Sequence, residues 1–140
     1  MKRFFSNITL IDANLGVVTK VLLQAEDWIE WNPAITSIQK IKTDVFAIHR
    51  DGAAINPDEI IEIEYTTQKV IYHSTGGTLK YRLIFELFFE DGQTKLVETC
   101  YIPEQSNLFL LSPIAKRAFK QNLSALKRLT EQIQSSMTKL

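Results

Sequence analysis

The sequence predicts an α+β fold, in which an antiparallel sheet with one buried face packs against a long helix at the C-terminal end. Three observations carry this. Turn signals at Thr67-Gln68, Gly76-Gly77 and Asp91-Gly92 divide residues 59–102 into successive strands. Read as two-residue turns, all three agree on which face is apolar. Residues 113–138 then repeat apolar side chains at helical spacing, and that helix would run ~39 Å at 1.5 Å per residue, enough to cross a whole sheet. The 140 residues, 45% apolar and 23% charged, suit a single domain over 1–140.

The elements follow in order. Residues 3–11 read as a strand, but neither alternating set, Phe4, Ser6, Ile8 and Leu10 or Phe5, Asn7, Thr9 and Ile11, is cleanly polar. Asp12 or Asn14 can cap a helix over about 14–24, whose apolar face holds Leu15, Val18 and Leu22. A short helix or turn through Trp28 and Trp31 stops at Asn32-Pro33, because proline pushes the preceding residue out of the helical region. Residues 36–50 make two short strands around Thr43-Asp44. Asp51-Gly52 and Asn56-Pro57-Asp58 mark a loop. The final helix starts at Ser112-Pro113, with serine as cap and proline in the first turn. Along it, Ala115, Phe119, Leu123, Leu126, Ile133 and Met137 form the apolar stripe.

Two-residue turns dictate strand register, and opposed residues share a face. The Asp91-Gly92 turn sets Phe85 opposite Glu98 and Leu83 opposite Cys100. The Gly76-Gly77 turn sets Ser74 opposite Leu79 and Tyr72 opposite Tyr81. The Thr67-Gln68 turn sets Tyr65 opposite Val70 and Ile63 opposite Tyr72. The inner face so defined runs from Ile61 to Ile102 through Tyr65, Tyr72, Tyr81, Phe85 and Cys100. Glu62, Glu64, His73, Lys80, Arg82, Glu86, Glu90 and Lys95 point outward. One carboxylate, Glu98, falls on the inner face between Leu96 and Cys100. Together with three tyrosines it makes that face more polar than a purely structural core requires.

Composition excludes several classes. Sixteen basic residues balance sixteen acidic ones, so the basic footprint of a nucleic-acid binder is missing and no nucleic-acid partner is expected. A lone Cys100 allows no internal disulfide, and no C-x-x-C pattern occurs. The first residues, with two Phe after two basic residues, imitate a signal peptide but break at Ser6, Asn7, Thr9 and Asp12. No apolar run reaches the ~18–20 residues of a spanning helix. A cytoplasmic location is the expectation. His49 and His73 fall on solvent-facing or loop positions without further ligands at suitable spacing, so neither a metal nor another cofactor is called for.

The ordered elements bring a family into view. The first strand runs into a helix. The turn of Trp28, Trp31, Asn32 and Pro33 follows, then the Asp91-Gly92-Gln93-Thr94 hairpin, then the long helix containing residues 122–131. This order resembles the SRPBCC superfamily of START-related lipid-binding domains, polyketide cyclases/dehydratases and birch-pollen-allergen-like proteins. The resemblance implies a helix-grip fold, with a curved antiparallel sheet wrapped around the C-terminal helix and two short helices after the first strand. It also implies an apolar cavity between sheet and helix that takes a hydrophobic small molecule. No shared catalytic signature carries over, and the loop after Arg50 is short for a lid.

The expectation is therefore a carrier that binds a lipid- or polyketide-like molecule. Glu98 and one or more of Tyr65, Tyr72 and Tyr81 would orient it, and Phe85, Cys100, Phe119, Leu123, Trp28 and Trp31 complete the candidate ligand-binding set. Two rivals stand beside it. One is a cyclase-, dehydratase- or hydrolase-type enzyme with Glu98 as general acid/base, its acidity weakened by apolar surroundings. The other is a macromolecule-binding protein using the basic C-terminal helix, since residues 112–140 set Lys116, Arg117, Lys120, Lys127, Arg128 and Lys139 against Glu131, a net charge of +5. Ile71, Ile84 and Phe88 on the outer face could form a homodimer patch.

Overall fold

The computed structural model describes residues 1–52 and 54–138; Lys139, counted in the helix charge above, lies outside them. The first strand, β1, spans Lys2–Ile11. Helix α1 (Leu15–Leu23), a 3-10 turn (Ala25–Asp27) and helix α2 (Trp28–Trp31) follow. Six more strands come next: β2 (Ile35–Lys42), β3 (Val45–Arg50), β4 (Asp58–Thr66), β5 (Lys69–Thr75), β6 (Tyr81–Glu90) and β7 (Gln93–Ile102). A 3-10 segment (Asn107–Leu111) leads into helix α3 (Ser112–Thr138). The sheet order is β1-β7-β6-β5-β4-β3-β2, antiparallel throughout, so β1 and β2 are its edges. This is the predicted α+β helix-grip architecture. No described helix is long and apolar enough to cross a membrane.

The ambiguity of β1 has a local cause. A bulge between Arg3 and Phe5 turns two consecutive residues, Phe4 and Phe5, into the core. Beyond it the alternation is regular, with Asn7 and Ile11 buried and Ile8 and Leu10 half exposed. The exposed edge of β1 is covered from α3. Lys120 Nζ donates to the Ile8 carbonyl (3.2 Å) and Lys127 Nζ to the Leu10 carbonyl (2.6 Å). Glu131 Oε2 accepts from the Asp12 backbone N–H (2.8 Å) and Gln134 Oε1 from that of Asn14 (3.0 Å). These side chains saturate backbone groups that an edge strand leaves open.

The capping expectations need correction. Asn14 occupies the cap position of α1 with an extended backbone, but its side chain makes no capping bond; its carbonyl accepts from Val17 and Val18. At the start of α3 the capping serine is Ser106, whose side chain accepts from Leu108 N–H (3.2 Å), because a 3-10 turn precedes Ser112. Ile133 and Met137 on the predicted stripe are exposed, so α3 outruns the core in its last turns.

Registers from the Thr67-Gln68 and Asp91-Gly92 turns hold residue for residue, including Phe85 opposite Glu98 and Tyr65 opposite Val70. Asp91 and Gly92 both take positive φ, as an Asp-Gly hairpin requires. The Gly76-Gly77 register slips by two residues. Ser74 opposes Tyr81, not Leu79, and Tyr72 opposes Leu83. The cause is Asn56, whose Oδ1 accepts from Leu79 N–H (2.7 Å) and whose Nδ2 donates to the Leu79 carbonyl (2.7 Å). Leu79 is thereby held outside the ladder, and the hairpin closes over five residues. The slip is even, so every face assignment survives.

Candidate functional site

Between the sheet and the N-terminal half of α3 lies a cavity of about 300 Å³. Much of its wall is apolar, from Phe4, Phe5, Leu111, Ile114, Ala115 and Phe119. Phe119 holds two sides together, with ring centroids 4.8 Å from Phe5 and 6.4 Å from Tyr81. Small residues of α3, Ala115 and Ala118, leave the space that larger side chains would fill. Ile55, Ile114 and Ala118 border its open side, and Ile114 is 71% exposed.

Arg50, Asn56, Glu59 and Tyr81 also line the cavity and form one hydrogen-bonded cluster. The Glu59 side chain is 0% exposed and lies 3.0 Å from Arg50 Nη1. Its Oε1 also accepts from the Tyr81 hydroxyl (2.8 Å). Its Oε2 accepts from Asn56 Nδ2 (2.8 Å) and Ser74 Oγ (3.0 Å). Four donors on one carboxylate, one of them a guanidinium, offset the cost of burying the charge. Burial, and then the Glu59 charge, push the Tyr81 phenol well up, so it stays a neutral donor.

Of the residues singled out from the sequence, Tyr81, Cys100 and Phe119 line this cavity. Burial pushes the Cys100 thiol far up, with the Glu98 and Glu59 charges adding to the effect. Trp28, Tyr72 and Phe85 stack as a buried aromatic row, Trp28 to Tyr72 at 4.9 Å and Tyr72 to Phe85 at 5.2 Å. The Tyr72 hydroxyl and Trp28 Nε1 both donate to the Leu22 carbonyl, tying α1 to the sheet. Trp31 and Leu123 are buried as well. These five side chains are not on the cavity wall. Tyr65 keeps its inner-face register, yet near the hairpin end of β4 it is 55% exposed.

Glu98 is only 1% exposed, and it too is off the cavity wall. Asn7 Nδ2 donates to its Oε1 (3.2 Å) and also to the Lys116 carbonyl of α3 (3.1 Å). Burial raises its pKa from 4.5 to about 8, against the opposing pull of Asn7 and the Lys120 charge. Its position is that of a buried clamp between β7, β1 and α3. The histidines stand outside: His49 bridges Asp58 (2.7 Å) and Asp51 (3.1 Å), and His73 meets Glu64 (2.7 Å). Among the described residues no group of three His, Cys, Asp or Glu could hold a metal ion.

Sequence reasoning missed Glu59, Arg50 and Asn56. A signal for Glu59 was present, since it continues the inner-face alternation of Ile61 and Ile63 by one more step. It sits at the start of β4 beside the Asn56-Pro57 turn, where alternation is easily taken to have ended.

A curved sheet gripping one long helix, with a cavity between them, defines a helix-grip protein. Solved structures narrow the fold further. The chain is similar to a START superfamily protein from Mycobacterium smegmatis, with a TM-score of 0.75 and 14% identity over 92% of this chain and 97% of that one. It is also similar to a conserved protein from Geobacillus kaustophilus, with a TM-score of 0.71 and 15% identity over 91% and 94% of the two chains. A Thermus thermophilus protein follows, with a TM-score of 0.64 and 15% identity over 91% and 93%. The chain has the SRPBCC/START-like fold. No protein-family model matches the sequence, and no curated protein matches it significantly.

Proposed function

We propose that the protein binds one small hydrophobic molecule in the cavity between the sheet and α3. The carrying observation is the cavity itself, which has apolar walls and a buried, hydrogen-bonded charge pair on its lining. That combination of apolar surface with a few convergent polar groups is how small-molecule sites are built. Its volume of about 300 Å³ stands at the low end of the ~300–1,000 Å³ range of such sites. This suits a single-chain or single-ring ligand better than a two-chain lipid. Affinity would come from burying the ligand's apolar body against Phe4, Phe5, Phe119 and Leu111.

Titration with the uncharged dye Nile red tests this. Ala118→Trp places a large side chain at the open side from an exposed position of α3. Wild type should take up the dye with a fluorescence gain, and the variant should bind at least ~10-fold more weakly with an unchanged melting temperature. No uptake by wild type, or equal uptake by both proteins, would sink the reading.

A further inference from the structure

The charge pair also says what kind of polar group the ligand carries, an inference that rests on the cavity reading above. We infer that the site selects a neutral hydrogen-bond acceptor, such as a ketone, ester or lactone carbonyl, held by the free N–H groups of Arg50, and discriminates against carboxylates and amines.

Four facts support this. First, the Glu59 carboxylate is saturated. Both of its oxygens accept twice, from Arg50, Tyr81, Asn56 and Ser74, which fills the roughly four lone-pair sites of an ionised carboxylate. Second, the Asn56 amide has no N–H left to offer a ligand. Its two N–H bonds go to Glu59 and Leu79, and its oxygen accepts from Leu79.

Third, Arg50 has donors to spare. Its Nη1 serves Glu59 (3.0 Å) and the Asn56 carbonyl (3.3 Å). Among the described residues nothing accepts from Nη2 or Nε, and the side chain, 13% exposed, lines the cavity. A guanidinium carries five N–H donors, so three remain for a ligand. Fourth, the charge of Arg50 is already cancelled by Glu59. An acceptor without charge completes the hydrogen bonding and leaves the site neutral. A carboxylate would add a second anion to a single buried cation, an arrangement that like-charge repulsion and desolvation both oppose. An ammonium would meet Arg50 with no free lone pair on Glu59 to receive it.

Chain-matched probes decide the matter: 2-decanone, decanoate and decylamine, each competed against Nile red at pH 7. In wild type 2-decanone should displace the dye at concentrations at least ~10-fold below those needed by decanoate or decylamine. Apolar partition alone also favours the ketone, so Glu59→Gln supplies the control. It keeps the shape, removes the anion and leaves the Arg50 charge uncompensated. The ketone-to-decanoate preference should then shift toward decanoate by at least ~10-fold. Decanoate binding as tightly as 2-decanone in wild type overturns the inference, and so does an unchanged preference in Glu59→Gln. Should that variant fail to fold, Arg50→Lys supplies the control: it keeps the cation but removes the guanidinium N–H groups left over for a ligand, so 2-decanone should bind at least ~10-fold more weakly, and unchanged 2-decanone binding overturns the inference. A wild-type protein that takes up neither Nile red nor any of the three probes overturns the cavity reading itself.

Discussion

Replacing Glu98 by Gln should make the protein more stable at neutral pH and leave it almost unchanged at pH 4.5. In the unfolded chain this carboxyl releases its proton near 4.5, and in the fold near about 8, chiefly because burial penalises the charged form. Between those values the folded state holds the extra proton. Raising the pH therefore favours the unfolded chain, and the stability lost to Glu98 begins above its unfolded pKa and levels off above its folded one. The interval spans roughly three and a half pH units at ~1.4 kcal/mol each, so the loss reaches ~5 kcal/mol by pH 8 and about 3 kcal/mol at pH 7. That is a large share of the ~5–15 kcal/mol that holds a typical domain folded. The substituted amide cannot ionise, and its carbonyl can still accept from Asn7 Nδ2. Urea denaturation of both proteins at pH 5, 6, 7 and 8 provides the measurement. Glu98→Gln minus wild type is the quantity to read, because other groups titrate equally in both. His49, raised by its bonds to Asp58 and Asp51, contributes stability that fades as the pH rises through its folded pKa. Glu131, lowered by the Asp12 N–H and Lys127, contributes stability that is lost as the pH falls. The difference should widen by about 2–3 kcal/mol from pH 5 to pH 7. A difference that stays constant from pH 5 to 8 would refute the assignment of Glu98 as a carboxyl held neutral by burial.

Gly77→Ala should destabilise the protein by about 1–3 kcal/mol, because a Cβ there would lie 2.5 Å from Asn56 Cγ and dislodge the amide that holds Leu79 and Glu59; an unchanged urea midpoint would count against the Asn56 clamp. Replacing Lys120 and Lys127 together by Met should uncover the Ile8 and Leu10 carbonyls on the β1 edge. Concentration-dependent association on size-exclusion chromatography is then expected, as for any unprotected edge strand. Elution identical to wild type at high concentration would show that the two lysines do not guard the edge.

The same two contacts bear on the basic C-terminal helix as a docking surface. Lys120 and Lys127 spend their charge on β1 carbonyls, and Lys127 also pairs with Glu131 at 3.1 Å. Charge counting along the sequence reads all such lysines as free. Only the packing of α3 against the sheet edge shows which ones have partners.

Much of the fold was legible because its signals are local. Strand alternation has a period of two, and a turn such as Asp91-Gly92 encodes its own backbone geometry. Parity even survived the misplaced register at Gly76-Gly77, since a two-residue slip returns each side chain to its face. Parity alone also marks Glu98 as an inward carboxylate. It could not say that Glu98 is sealed beneath α3 by Asn7 whereas Glu59, on the same face, lines the cavity.

The amino-acid pattern alone thus determined which residues between Ile61 and Ile102 face inward, how many strands there are, and that one long helix covers them. Where the core stays open was decided in three dimensions. It depends on the bulge that turns Phe4 and Phe5 inward together, on Ala115 and Ala118 lying over the sheet, and on Asn56 reaching across 23 residues to Leu79. The physical reason is that facing direction is a property of the backbone a few residues at a time. A cavity, by contrast, is the volume left between elements distant in sequence, and no period along the chain encodes it.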